Sequence, residues 1–170
     1  SGTYNHATGA NNSAACLDAD PGYYVDANAS TNQTACSPGT YNPDSGSNSS
    51  DSCMDVEPGN YSSGSGNANQ TSCSPGTYQP SAGQQTCLDA DPGYYVDSSG
   101  SANQTACSPG TYQPSAGQQT CLDADPGHYV DSTASTSQTP ADPGYYVDSP
   151  ASSSQTPCGL GTWQNESGQD

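Results

Sequence analysis

The stretch that decides the fold reads CSPGTYQPSAGQQTCLD at 73–89, ADPGYYVDSSGSANQTA at 90–106, and CSPGTYQPSAGQQTCLD again at 107–123. The first and third segments are identical, so the chain repeats in units of 17 residues, and its full period runs from Cys73 to Cys107. A fixed period of this kind is typical of proteins in which each unit packs only on its neighbours. We therefore analyse the chain as a tandem array.

Two alternating unit types account for the whole sequence. Type A units carry all eight cysteines, and type B units have none. Type A covers 1–18 (truncated), 36–55, 73–89, 107–123 and 158–170 (truncated). Type B covers 19–35, 56–72, 90–106, 124–140 and 141–157. The last two type B units follow each other directly, as if one type A unit had been omitted.

Each unit has a Pro-Gly turn or its remnant, an aromatic residue two positions later and a Ser/Gly/Asn cluster. Turn residues beside short segments of Tyr, Val and Thr predict small β-hairpins. An isolated hairpin is marginal in water, so stability has to come from neighbouring units and from covalent links. The predicted fold is a small, disulfide-rich β protein: a linear tandem array of 17-residue hairpin-like units with no single globular core.

Composition supports an array over a globular domain. The chain has 19 Gly, 14 Pro and 12 Tyr, no Phe or Ile, and only four Leu, five Val and one Met. So few aliphatic side chains cannot offset a backbone ordering cost of about 1–2 kcal/mol per residue in one compact core. Phased tyrosines are the large apolar groups available, and we expect them to pack as a row between units. The row comprises Tyr4, Tyr24, Tyr41, Tyr61, Tyr78, Tyr95, Tyr112, Tyr129 and Tyr146.

The charge pattern excludes several classes of function. The chain has 17 acidic residues and no Lys or Arg, a formal net charge of −17. Nucleic acid and anionic lipid are therefore poor partners. We also expect no membrane span, because no apolar run approaches about 20 residues. Catalysis is not expected, because no nucleophile has a supporting base and His128 replaces a tyrosine found in sister units.

Two regular disulfide pairings fit the cysteine spacing. One lies within type A units and joins Cys36–Cys53, Cys73–Cys87 and Cys107–Cys121. The other spans type B units and joins Cys16–Cys36, Cys53–Cys73 and Cys87–Cys107, with Cys121–Cys158 if all eight are used. The first is favoured, because type B units have Ala at the opening position (Ala19, Ala90, Ala124) and after the closing Thr (Ala35, Ala106). The first pairing also fits the omission of one type A unit, because that omission removes two cysteines together. It leaves Cys16 and Cys158 to partners outside these 170 residues.

The run C-S-P-G-T-Y-x(8)-C-L-D-A-D-P-G-Y-Y resembles the cysteine-rich repeats of the ephrin-receptor-like and TNF-receptor-like families. Long, near-identical arrays of this sort are similar to those of secreted surface or fibril proteins of aquatic microbes. The resemblance implies an extracellular protein with a structural use. Evenly spaced cysteines without a C-x-x-C pair independently favour disulfides over zinc and an oxidising compartment.

Two kinds of chemical site are predicted. Eight Asn-x-Ser/Thr acceptors predict N-linked glycans: Asn11, Asn28, Asn32, Asn48, Asn60, Asn69, Asn103 and Asn165. Phased aspartates could contribute to Ca²⁺ binding, which needs six to eight oxygens; the alternative is that the Asp of each Asp-Pro-Gly only stabilises its turn. The candidate calcium ligands are Asp18, Asp20, Asp26, Asp89, Asp91, Asp97, Asp123, Asp125 and Asp131. Beyond possible calcium and covalent glycans, no cofactor is expected.

The sequence thus predicts a structural subunit of an extracellular, glycosylated fibril or cell-surface stalk, rigidified by stacked Tyr and disulfides. Self-association or continuation of the chain would build the filament. The alternative is a binding module, either a calcium-stiffened adhesin or a receptor-like ectodomain.

Overall fold

The fold is built on the Pro-Gly turns. In the computed structural model, which describes residues 2–163 and 165–168, the amide of Tyr94 donates to the carbonyl of Asp91 at 2.9 Å. Gly93 between them has φ +85°. Pro at the second turn position and a left-handed Gly at the third are the requirements of a type II turn. Each turn therefore reverses direction just before a strand.

Short antiparallel hairpins follow from these turns, and each lies within one of the 17-residue units or its longer variant. The described residues contain nine hairpins of two-residue strands. They are β1 (Thr3–Tyr4) with β2 (Leu17–Asp18), β3 (Tyr23–Tyr24) with β4 (Thr34–Ala35), β5 (Thr40–Tyr41) with β6 (Met54–Asp55), β7 (Asn60–Tyr61) with β8 (Thr71–Ser72), β9 (Thr77–Tyr78) with β10 (Leu88–Asp89), β11 (Tyr94–Tyr95) with β12 (Thr105–Ala106), β13 (Thr111–Tyr112) with β14 (Leu122–Asp123), β15 (His128–Tyr129) with β16 (Thr139–Pro140), and β17 (Tyr145–Tyr146) with β18 (Thr156–Pro157).

Two short 3₁₀ turns, Ser13–Ala15 and Ser50–Ser52, are the only helical elements in the described part of the chain. Each is capped by a polar side chain: Asn12 Oδ1 accepts from the amide of Ala14 at 2.9 Å, and Ser49 Oγ accepts from that of Asp51 at 3.1 Å. They lie in the two type A units whose hairpin loops are longer than the others. The fold is thus a small, disulfide-rich β fold of repeated hairpins without a closed sheet.

The chain divides into two compact units that interleave in sequence. The first comprises Ser1–Cys73, Gln79–Cys87 and Gly100–Ala102, and the second comprises Ser74–Tyr78, Leu88–Ser99 and Asn103–Asp170. The first contains the hairpins from β1–β2 to β7–β8, and the second contains those from β9–β10 to β17–β18.

In the first compact unit, backbone hydrogen bonds join successive hairpins. The amide of Gly22 donates to the carbonyl of Asn42 at 2.7 Å, that of Val25 to Ser47 at 2.9 Å, and that of Gly46 back to Ala19 at 2.8 Å. A fourth bond runs from the amide of Cys36 to the carbonyl of Gly22. Main-chain groups, present in every unit whatever its side chains, thus make the joint.

The second compact unit repeats this set of bonds. The amide of Gly93 donates to the carbonyl of Gln113 at 2.7 Å, that of Val96 to Gln118 at 3.0 Å, and that of Gly117 to Ala90 at 2.8 Å. Because these bonds use main-chain donors and acceptors, a joint of the same geometry recurs although the side chains differ from one hairpin to the next.

The buried residues are regularly placed, and most of them are small. The first residue of every complete unit is essentially inaccessible, whether Ala, Cys or Val, and so is the seventh. The first-position residues are Ala19, Cys36, Val56, Cys73, Ala90, Cys107, Ala124 and Ala141. The seventh-position residues are Val25, Asn42, Ser62, Gln79, Val96, Gln113, Val130 and Val147. The core is therefore a series of small clusters, as expected for an array without one hydrophobic centre.

Polar residues at the seventh position keep their hydrogen bonds on burial. Gln79 Nε2 donates to the carbonyl of Thr86 at 2.8 Å, and its Oε1 accepts from the amide of Ser81 at 3.2 Å. Among the residues described, no buried side-chain nitrogen or oxygen lacks a partner. Burial of these amides therefore leaves no uncompensated desolvation cost.

The tyrosines differ from the expected row. All nine are half-buried, but within the described residues the only pair of packed rings is Tyr4 with His6, whose centroids are 6.3 Å apart. The stacking of tyrosine on tyrosine was therefore a wrong expectation. Backbone hydrogen bonds close the joints between hairpins instead, as between the amide of Gly22 and the carbonyl of Asn42.

Candidate functional site

Three disulfides fasten type A units. They join Cys36 to Cys53, Cys73 to Cys87 and Cys107 to Cys121, with Cα separations of 5.5, 5.8 and 5.8 Å. In each pair the opening cysteine is buried and the closing one is half-buried. This is the pairing within type A units; the pairing across type B units does not occur among these six cysteines.

Type B units carry a clasp made of hydrogen bonds at the same place. Gln104 Oε1 accepts from the amide of Asp91 at 2.7 Å, and Gln104 Nε2 donates to Asp91 Oδ2 at 2.6 Å. The same two bonds join Gln33 to Asp20, Gln70 to Glu57, Gln138 to Asp125 and Gln155 to Asp142. A carboxylate acceptor strengthens such bonds relative to neutral pairs. The clasp is the feature that sequence reasoning missed.

The strand register shows why sequence reasoning missed the clasp. Thr77 pairs with Asp89 in a type A hairpin, and Tyr94 pairs with Ala106 in the following type B hairpin. Ala106 therefore corresponds to Asp89, and Gln104 corresponds to the closing Cys87. The expectation that Ala35 and Ala106 replace the closing cysteine was wrong, because it aligned the units on their Thr and not on their turns. When residues are counted without gaps from the first residue of each 17-residue unit, Gln104 and Cys87 stand at the same position.

The aspartates are not brought together as a calcium site. No group of three or more His, Cys, Asp or Glu suited to a metal ion occurs in the part of the chain that the structure describes. Asp20, Asp91 and Asp125 hold the clasps. Asp18, Asp89 and Asp123 are the exposed last residues of strands, and Asp26, Asp97 and Asp131 are exposed after the seventh position. The backbone carbonyls of Asp20, Asp91 and Asp125 accept the turn hydrogen bonds, whereas their carboxylates bond the clasp glutamines and not the turn.

Seven of the eight predicted glycan acceptors are exposed: Asn11, Asn28, Asn32, Asn48, Asn69, Asn103 and Asn165. Asn60 differs, because it is half-buried in β7, where its Oδ1 accepts from Ser72 Oγ at 2.8 Å and its Nδ2 donates to the carbonyl of Pro58 at 3.3 Å. Asn32, Asn69 and Asn103 directly precede the clasp glutamines. Each of these three thus lies next to a fixed point of its hairpin.

The histidines form no cluster with other chemical groups. His128 lies in β15 opposite Pro140, and its Nδ1 is 3.5 Å from the carbonyl oxygen of Pro126. His6 contacts the ring of Tyr4. In the described part of the chain, neither makes a hydrogen bond to a nucleophile or a carboxylate, as a catalytic pair would.

Cys16 and Cys158 are unbonded; Cys16 is exposed and Cys158 half-buried. Cys158 occupies the opening position of its unit, and its amide donates to the carbonyl of Gly144 at 2.9 Å, as the amides of other opening residues do. Ser1, Gln164, Gln169 and Asp170 of the two end units lie outside the described residues.

Comparison with known families finds a match over part of the chain. Residues 59–107 and 93–140 match the family described as tyrosine-protein kinase ephrin type A/B receptor-like. No curated protein matches the chain. The matched segments overlap at 93–107, so the two matches follow the tandem repeat. Structural disulfides and modules of this family are features of extracellular and cell-surface proteins. No helix within the described ranges is long and apolar enough to cross a bilayer.

Proposed function

We propose, on the premise that residues 59–140 consist of ephrin-receptor-like repeats, that this chain is a structural subunit of an extracellular, glycosylated fibril or cell-surface stalk. The observation that carries the proposal is that the hairpin of every complete unit, eight of the nine described hairpins, is closed by a fastening at one position. A disulfide does this in type A and a glutamine clasp in type B. Repeated fastening of units that otherwise differ is expected of a load-bearing array.

A non-catalytic role belongs to this proposal. The chain has no cation to stabilise developing negative charge or to hold a phosphate. Among the described residues, neither histidine belongs to a group of three or more His, Cys, Asp or Glu. Self-association or a longer chain of the same repeats would extend the array into a filament.

Glycans are the second part of the proposal. Asn69 and Asn103 are exposed and make no side-chain hydrogen bond within the described residues. A glycan on either amide would therefore break no internal contact. Sugars at these phased positions would also shield short strand edges, which otherwise favour pairing with other chains.

The second candidate function is a receptor-like ectodomain that binds a ligand, and the family match favours it. A ligand patch requires units with different surfaces, whereas residues 73–89 and 107–123 are identical in sequence. The structural role therefore explains more of the chain. A calcium-stiffened adhesin has less support, because the described aspartates form no metal-binding group.

Secretion of the chain from a glycosylating eukaryotic host tests the proposal. We expect a mass loss after treatment with peptide-N-glycosidase, and a smaller loss in the variant Asn32→Gln/Asn69→Gln/Asn103→Gln. Asn5→Gln is the matched control, because Asn5 is not in an acceptor sequence. Secreted protein without any enzyme-sensitive mass would refute the glycosylated fibril, and thiols in place of disulfides would refute the extracellular assignment.

A further inference from the structure

An open cleft of about 350 Å³, with both apolar and polar lining groups, lies where a type B hairpin meets the following type A hairpin. Its wall includes Tyr95 of β11, Asp97, Thr111 of β13, Gln119 and Cys121. Cys121 is bonded to Cys107, and Tyr95 is paired with Thr105 in the β11–β12 hairpin. A disulfide and two strands therefore hold Tyr95, Thr111 and Cys121 in place before any ligand arrives, which lowers the ordering cost at this side of the cleft.

The cleft recurs at an equivalent joint near the start of the chain. A smaller cleft of about 200 Å³ is lined by Tyr24, Ser37, Thr40 and Cys53 among others. In their own units these residues occupy the places of Tyr95, Ser108, Thr111 and Cys121. Clefts thus occur at two of the joints at which a type A unit follows a type B unit. The larger one adds a carboxylate and an amide, those of Asp97 and Gln119.

The lining chemistry selects a class of ligand. Neither the hydroxyl of Tyr95 nor the amide of Gln119 has a hydrogen bond to the described protein, and Asp97 accepts one bond, from Ser98 Oγ to Oδ1 at 2.8 Å. Acceptors and neutral donors beside one aromatic ring suit a ligand with many hydroxyl groups and an apolar ring face. An anion is excluded, because the whole chain has no Lys or Arg to neutralise it.

We propose that this cleft binds one or two units of a neutral saccharide, with the sugar ring against Tyr95 and its hydroxyl groups donating to Asp97 and exchanging hydrogen bonds with Gln119. The volume lies near the lower end for small-molecule sites. This inference goes beyond the structural role and does not depend on it.

Titration of the unglycosylated full chain with neutral tetrasaccharides, followed by NMR, tests the proposal. The probes are cellotetraose, chitotetraose, maltotetraose and mannotetraose, with sialyllactose as the anionic comparison. We expect at least one neutral probe to bind with a dissociation constant of roughly 1 mM or tighter, and to shift the resonances of Tyr95 and Gln119. Sialyllactose should bind more weakly than that neutral probe.

Two variants and one control locate the site. Tyr95→Ala should weaken binding at least about tenfold through loss of the ring contact, and Gln119→Ala, an exposed change, should weaken it with folding intact. Tyr112→Ala is the control, because Tyr112 is equally half-buried at the same position of the next hairpin but does not line the cleft. A second arm uses the chain's own released N-glycans as probe, which distinguishes binding between copies from binding of foreign glycans. The proposal would be overturned if no neutral probe bound, or if Tyr95→Ala and Gln119→Ala both bound the probe as tightly as the unchanged chain. Tighter binding of sialyllactose than of the neutral probes would also overturn it.

Discussion

Gly93 shows at the scale of one residue why the Pro-Gly turns are needed. Its φ of +85° is costly for a residue with a side chain, and a Cβ built there would lie 2.2 Å from the carbonyl oxygen of Ala134. Gly144 has nearly the same φ, +87°, but nothing lies within 4 Å of the added carbon. Comparing substitutions at the two glycines therefore separates the energetic cost of a positive φ, present at both, from the steric cost of a close backbone approach, present only at Gly93.

Gly144→Ala should lower the free energy of unfolding by about 1 kcal/mol, because only left-handed strain is added. Gly93→Ala should cost clearly more, about 3 kcal/mol or above, because two backbone segments must also move apart. Calorimetric melting of both variants beside the unchanged chain measures the difference. If both variants lost the same free energy of unfolding, the close backbone approach at Gly93 would be contradicted.

Single residues also show the limit of prediction from this sequence. The turn residues and the disulfide partners follow from local rules about Pro, Gly and Cys. Burial of Gln79 and Gln113 does not, because a long polar side chain is ordinarily exposed and its burial depends on carbonyl groups that only the folded hairpin supplies. The clasp of Gln104 could not be predicted for the same reason, because Gln104 accepts from a backbone amide thirteen residues away.

At the scale of the element, a disulfide and a clasp are alternative fastenings of the same hairpin. Ala90 is as inaccessible as Cys73 and Cys107, and Gln104 stands at the closing position. Ala90→Cys/Gln104→Cys should therefore form a fourth disulfide with a sequence separation of 14, as in the neighbouring type A units. The expected net gain is about 2 kcal/mol, a chain-entropy benefit of about 3 less the lost clasp.

Thiol titration and melting with and without reductant measure this gain. The single variant Ala90→Cys is the control, because it adds the thiol without a partner. Two free thiols beyond Cys16 and Cys158 in the double variant, under oxidising conditions, would contradict the correspondence of Gln104 with Cys87.

The clasp itself can be removed without touching a disulfide. Gln104→Ala should lower the free energy of unfolding by about 1 kcal/mol, because two exposed hydrogen bonds to Asp91 are lost. Gln119→Ala should change it by much less, since that exposed side chain makes no hydrogen bond within the described protein. Chemical denaturation of both variants compares them; equal effects would show that the clasp contributes nothing to stability.

For the whole molecule, the net charge is strongly negative. With 17 acidic residues and neither Lys nor Arg, the long-range interactions among side chains at neutral pH are repulsive. Raising NaCl from roughly 0.01 M to roughly 0.5 M should therefore raise Tm, because screening shortens these interactions. A lower or unchanged Tm would contradict this reasoning. CaCl₂ at matched ionic strength is the comparison, and a much larger rise with calcium would revive specific calcium binding.

At this scale the sequence predicted the repeat, the hairpins and the absence of a single core, because all three follow from phased turn residues and a shortage of aliphatic side chains. It did not predict how hairpins join. Stacked tyrosines were expected from the scarcity of other apolar groups, whereas backbone amides and carbonyls close the joints, as at Gly22 and Asn42. A hydrogen-bond pattern between non-adjacent main-chain segments has no signature in residue type, so only the structure reveals it.

Electron cryomicroscopy of the native assembly tests the proposed function most directly. The account predicts filaments or stalks in which 17-residue hairpins repeat along the chain, with disulfide density in type A units and sugar density on the exposed phased asparagines such as Asn69 and Asn103. Isolated monomers outside any assembly, with bare asparagine side chains, would contradict it.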